Sequence, residues 1–337
     1  MKNLLVLDKL EYERNNEKYM ACMKESLLGD NCILYTSYED DLIRKVRNNK
    51  MFGSALQHIF YWIKSYRYAR KIRKEKYNVI YCINPIVGVF LGLFNRKSKI
   101  VLCGFLFEQK KNKLYYEIRK YITRLMLKGI EKIVVYGKKE VSYYKKIFPN
   151  SEFVFIKYGI DYDNKSVYKS EKLPDKYMFS GGGSNRDYKT LIDAYNISHK
   201  NSKLIIATQP WRVEKYDIHD ITVLGDVVTE NFGSVLGKSD CLILSLKDAD
   251  ISTGHMVMFQ AMNLGVPIIV NDIPAIRDYV DESCVTFYET ENYKELAEII
   301  DKYSENYNDF KEKACRSIEL YYRDLTFEGF VKRVIRL

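Results

Sequence analysis

The feature that most constrains this chain is its punctuation. Short apolar runs, β-branched-rich in the first half, recur along it, most of them separated by segments long enough for a helix. In the first half the runs are "NLLVLD" (3–8), "CILYT" (32–36), "NVIYCIN" (78–84), "KIVLCGF" (99–105), "KIVVYG" (132–137) and "EFVFIKYG" (152–159). In the second they are "KYMFSGG" (176–182), "SKLIIAT" (202–208), "ITVLGDV" (221–227), "DCLILSL" (240–246), "VPIIVND" (266–272) and "CVTFYE" (284–289). Strands covered on both faces read as continuous apolar runs, and parallel neighbours need crossovers of about a dozen residues or more. The pattern predicts an α/β protein with mainly parallel sheets and helices on both faces.

The stretch "IDYDNKSVYKSEKLPD" (160–175) is polar and aperiodic, and reads as a linker. It divides the chain into an N-terminal Rossmann-like domain over 1–165 and a second over 166–320. A C-terminal segment, 321–337, carries the amphipathic helix "LTFEGFVKRVIRL", with Phe327, Phe330, Val331 and Val334 on one side. At 337 residues each domain can bury its own core. Two such domains on one linker place a cleft between the carboxyl edges of two sheets, the edges where open α/β sheets take ligands.

Charge separates the halves. Residues 1–165 hold 33 Lys and Arg against 17 Asp and Glu, a net +16, while the remainder holds 21 against 27, a net −6. Two basic, aromatic runs dominate the first half: "HIFYWIKSYRYARKIRKEKY" (58–77) and "KNKLYYEIRKYITRLMLKGIEK" (111–132). They read either as surface helices with solvated lysines or as surfaces that adsorb to an anionic bilayer. On a bilayer each Lys or Arg contributes about 1 kcal/mol. Nucleic acid ranks behind both, because no motif that reads RNA or DNA occurs. No uninterrupted apolar run of about 18 residues is present to span a membrane. The opening "MKNLLVLDKLEYERNN" reads as a first strand and not as a signal peptide. Seven dispersed cysteines without a C-x-x-C pair read as reduced thiols of a cytoplasmic protein.

Two motifs carry chemistry. The unit "ISTGHMVMFQAMNLGVPIIVND" (251–272) holds no carboxylate before Asp272. It predicts a helix from about Gly254 to Asn263, closed by Gly265 in the left-handed region. Ser252 and Thr253 stand at capping positions. The free N–H groups of Thr253, Gly254, His255 and Met256 would then sit at the positive end of the helix dipole, where a phosphate or diphosphate binds without a lysine. An ordinary capped helix has the same pattern. The unit "KYMFSGGGSNRDYKTLIDAY" (176–195) runs from a strand through Gly181, Gly182 and Gly183 to Arg186 and a helix. Consecutive glycines permit close backbone approach, and Arg186 is placed to pair with an anion; a plain turn is the other reading.

These residues resemble the nucleotide-sugar-binding domain of GT-B glycosyltransferases of the group 1 family. The resemblance is carried by "FSGGGSNRDYKTLIDAY", "LGDVVTENFGSVLGKSDCLILSL", "STGHMVMFQAMNLGVPIIVNDIPAIRDYV" and the terminal "LTFEGFVKRVIRL", in that order, and covers about 160 residues. It implies a GT-B enzyme of two Rossmann-like domains whose C-terminal helix crosses back to the first. The donor would be a nucleotide-diphosphate sugar, a substrate and not a cofactor. The acceptor would be a lipid-linked glycan, in surface polysaccharide or capsule assembly, at the inner face of the cell membrane. The family's two glutamates correspond to Ser252 and Gln260. Gln260 retains hydrogen bonding to ribose hydroxyls, whereas Ser252 supplies no charge beside the sugar. Arg186 resembles the family's lysine position, and Gly182 falls near that of its arginine.

For the remaining roles, Trp211 in "TQPWRV" is either a base-stacking residue or a packed loop residue, with Arg212 within reach of a phosphate. Glu108, just after "KIVLCGF", is the best-placed candidate for a catalytic base, ahead of Glu11 and Glu13, and a surface salt bridge is the other reading of each. His255 is a second catalytic candidate, as a donor to the diphosphate or a contact to the sugar, with a capping role as the other reading. The triplets Asp161–Asp163 and Asp248–Asp250 have the form of metal-binding pairs, but the resemblance implies a donor bound without metal. The alternatives are a nucleotide-sugar epimerase of the same fold and a degenerate member that binds nucleotide or membrane without turnover.

Overall fold

The computed structural model describes residues 2–8, 32–36, 53–94, 97–109, 112–162, 173–199, 202–228, 231–303 and 305–337. Glu11, Glu13 and Asp163 lie outside them. The chain forms two compact units: Met1–Ile156 with Val331–Leu337, and Lys157–Phe330. The division falls at the end of the last strand of the first sheet, ahead of the polar stretch at 160–175, and the C-terminal crossing falls at Val331.

In the first unit the order is β1 (Leu4–Asp8), β2 (Cys32–Thr36), α1 (Gly53–Ile72), β3 (Val79–Cys82), α2 (Pro85–Phe94), β4 (Lys99–Cys103), α3 (Lys113–Leu127), β5 (Lys132–Val135), α4 (Lys138–Ile147) and β6 (Phe153–Phe155). The sheet runs β2-β1-β3-β4-β5-β6, parallel throughout. Its strands are the apolar runs of the sequence. Val6, Cys82, Leu102 and Val134 are all buried in its centre. Gly92 of α2 and Gly129 after α3 permit a backbone-to-backbone approach, since a Cβ at Gly129 would stand 2.1 Å from the Gly92 carbonyl. At the C-terminus, the Ile335 carbonyl accepts the Tyr81 hydroxyl at 3.1 Å.

The second unit contains β7 (Tyr177–Gly181), α5 (Tyr188–Ile197), β8 (Lys203–Ala207), a 3-10 turn (Pro210–Arg212), β9 (Ile221–Val223), α6 (Phe232–Leu236), β10 (Cys241–Leu244), α7 (His255–Leu264), β11 (Ile268–Asn271), α8 (Pro274–Arg277), β12 (Thr286–Tyr288), α9 (Tyr293–Lys302), α10 (Tyr307–Asp324) and the start of α11 (Phe327–Ile335), whose residues from Val331 belong to the first unit. Its sheet runs β12-β11-β10-β7-β8-β9, also parallel. Two sets of three strands therefore diverge from the β7/β10 pair. This is the doubly wound order, and its switch point is the crevice beyond Gly181 and Leu244. Within this unit the chain entering it and the chain about to leave it lie side by side. Ile160 N–H donates to Leu325 O at 3.0 Å, and the Tyr321 hydroxyl donates to Ile160 O at 2.7 Å. Gly159 is required there, because a Cβ would stand 2.2 Å from the Thr326 carbonyl.

Candidate functional site

The two motifs meet at that switch point. Beyond β7, Gly182 has φ +110°, a backbone that favours glycine. Arg186 folds back over it: Nε donates to Gly181 O and Nη1 to Ser184 O, each at 2.8 Å. A Cβ on Gly182 would stand 2.5 Å from Arg186 Nη2, so the glycines make room for a guanidinium. Arg186 does not open the helix; Asp187 does, accepting the Thr190 N–H at 3.3 Å and its hydroxyl at 2.6 Å. The loop is pinned to the one beyond β10. Asp187 N–H donates to Ser245 O and Lys247 N–H to Asn185 O, both at 3.0 Å. Burial pulls the Arg186 pKa below its ordinary value, since desolvation disfavours the charged form. Among the described residues it pairs with no carboxylate.

The second motif begins differently from the sequence expectation. α7 starts at His255, and its N-cap is Gly254 at φ +80° with no side-chain cap. Ser252 and Thr253 lie upstream of the cap. The reason is steric: a Cβ at position 254 would stand 2.7 Å from Leu246 Cδ1, so only glycine turns the chain into the helix here. None of the described residues accepts from the N–H groups of His255, Met256 or Val257, which form the positive end of α7. The Met256 side chain is exposed, Gln260 is half-buried on the next turn, and Gly265 ends the helix at φ +68° as expected.

Asn271, which sequence reasoning passed over, holds the two loops in register. Its Oδ1 accepts Leu246 N–H and its Nδ2 donates to Leu246 O, both at 2.8 Å, with a further bond to Thr290 Oγ1 at 3.1 Å. Leu246 in turn bridges to Arg186 and touches Gly254. An asparagine ending a buried apolar run was the available signal, because a buried amide must be satisfied.

The remaining candidates stand in different surroundings. His255 is 6% exposed, clustered with the rings of Phe259 and Tyr279, and its Nε2 lies 2.9 Å from Ala275 O. A carbonyl only accepts, so Nε2 carries the proton. Burial lowers the pKa to about 4, against the opposing hydrogen bond to Ala275 and the charge of Asp278. Neutral in this tautomer, His255 offers no donor to a diphosphate; it is a core residue, and the expectation of a catalytic histidine is corrected. Glu108 is exposed in the first unit, and its backbone carbonyl takes Arg119 Nη1 at 3.1 Å. Trp211 is 61% exposed on the 3-10 turn beyond β8. Asp272 is held by both Nε and Nη2 of Arg277 at 2.7 Å each, which keeps its carboxyl below the ordinary range. Asp161 accepts the Phe327 N–H at 3.4 Å. Among the described residues no three His, Cys, Asp or Glu side chains cluster to hold a metal.

Comparison with known proteins fits this geometry. Sucrose-phosphate synthase of Thermosynechococcus elongatus superposes with a TM-score of 0.65 at 13% identity, covering 100% of this chain and 98% of that one. Anabaena HepE, solved with UDP and glucose, gives 0.62 at 10% identity over 100% and 98%. WaaG, a glycosyltransferase involved in lipopolysaccharide biosynthesis, gives 0.62 at 12% identity over 99% and 98%. The fold is therefore that of the GT-B glycosyltransferases. Residues 175–306, which include both motifs, match the family model of the glycosyl transferases group 1. Among curated proteins no sequence matches.

Proposed function

We propose that the protein transfers a sugar from a nucleoside diphosphate sugar to a lipid-linked glycan acceptor in surface polysaccharide assembly. The observation that carries the donor half is the arginine folded over Gly182 without a carboxylate partner, beside the open amides of α7. Charge develops on the leaving diphosphate as the glycosidic bond breaks. Preorganised N–H groups and a partly buried guanidinium stabilise it without a metal. Gln260 hydrogen-bonds the ribose, and Glu108 is the acceptor base. HepE was solved with UDP, which makes uracil the first base to try.

The acceptor half rests on α1 and α3. Ile59, Trp62, Ile63 and Tyr66 are exposed on α1; Leu114, Tyr115, Ile118, Tyr121 and Ile122 are exposed on α3, Leu114 at 72%. Arg67, Arg70, Lys71, Arg73 and Lys113 are exposed on the same helices and just beyond α1. Apolar and basic side chains together suit a protein lying on an anionic inner leaflet. Among the described residues no helix is long and apolar enough to cross a membrane.

Incubating the purified protein with UDP- and GDP-sugars tests the reading. Slow sugar release, abolished in Arg186→Ala, is expected. A binding-only protein is the second reading, favoured by Ser252 and Gln260 standing where the resembling family has glutamates. Nucleotide binding without sugar release or transfer would select it.

A further inference from the structure

We propose that Arg212, carried on the ring of Trp211, is the second cation of the donor site and replaces the one that the glycine loop lacks at Gly182. This rests on the reading of the switch-point edge as a diphosphate site. The two guanidinium groups come from different loops and reach adjacent residues. A Cβ at Gly182 would stand 2.5 Å from Arg186 Nη2, and one at Gly183 would stand 3.4 Å from Arg212 Nη2. The Tyr188 hydroxyl, bonded to Gly182 O at 2.6 Å, feels both charges.

Arg212 is held for this. The 3-10 turn is closed by Arg212 N–H on Gln209 O and Val213 N–H on Pro210 O, each at 3.0 Å, and Val213 is fully buried beneath it. The guanidinium carbon lies 4.4 Å from the Trp211 ring centroid, a cation–π contact that fixes a long side chain without neutralising it. Among the described residues Arg212 makes no ion pair. Two arginines against one glycine loop, neither paired with an acid, form a cradle for a dianion, and bidentate guanidinium geometry suits phosphate. Trp211 is then a positioning residue for Arg212 and not a stacking platform for the base.

Titration calorimetry with inorganic pyrophosphate, UDP, GDP, CDP, ADP and dTDP, all in EDTA, tests this. Arg212→Ala should weaken pyrophosphate and the preferred diphosphate by about 10- to 100-fold, as Arg186→Ala does, with melting temperature unchanged. Arg212→Lys should recover part of the loss. Trp211→Ala should weaken pyrophosphate several-fold and Trp211→Phe much less. Wild-type binding that Arg212→Ala leaves within twofold overturns the assignment while the donor site stands. Loss of UDP but not pyrophosphate in Trp211→Ala returns Trp211 to base stacking and overturns its role here. Failure of every probe to bind the wild type overturns the donor-site reading, and this inference with it.

Discussion

His255 shows what a residue in a ligand loop can be doing instead of chemistry. Its imidazole is buried and neutral, with a pKa near 4 in the folded state against an ordinary 6.5. Between those values the unfolded chain binds a proton that the folded chain refuses. Stability therefore falls as pH is lowered through that window, by about 3 kcal/mol if nothing else titrates. His255→Gln should flatten this part of the pH–stability curve in denaturant melts, while the wild type slopes. Gly182 is the complementary case. Gly182→Ala forces a Cβ into a φ of +110° and against Arg186, and should cost about 1–3 kcal/mol. It should also weaken diphosphate binding as much as Arg186→Ala; unchanged affinity would separate the glycine from the arginine.

At the scale of elements, the loops beyond β7 and β10 act as one piece because Asn271 ties Leu246 by both its N–H and its carbonyl. Asn271→Ala leaves both buried groups without a partner and should cost about 2 kcal/mol or more, with diphosphate affinity falling alongside. If affinity holds while stability drops, the tie serves the core alone. The described strands were legible in the sequence because each lies in a short apolar run, most of them rich in β-branched residues, and Gly265 as the stop of α7 was legible for the same local reason. The start of α7 was not: Ser252 and Thr253 have the chemistry of caps, but contact with Leu246, at the other end of the same loop, selects Gly254. The buried state of His255 was likewise hidden, since it depends on Tyr279 and Ala275 arriving from the next βα unit.

For the whole molecule, the charge asymmetry and the exposed apolar residues of α1 and α3 set the first unit apart from the second. Co-sedimentation with vesicles containing anionic phospholipid should capture the protein at low salt, and Ile118→Glu with Tyr121→Glu should release it; equal binding to neutral vesicles would argue against an electrostatic surface. The central claim is the donor site. Thermal unfolding with UDP, GDP, CDP, ADP and dTDP, each in EDTA, tests it most directly. One diphosphate at about 100 times its Kd should add about 2.7 kcal/mol of stability without metal, and Arg186→Ala should remove that gain. Stabilisation that appears only with Mg²⁺, or persists in Arg186→Ala, would contradict the account.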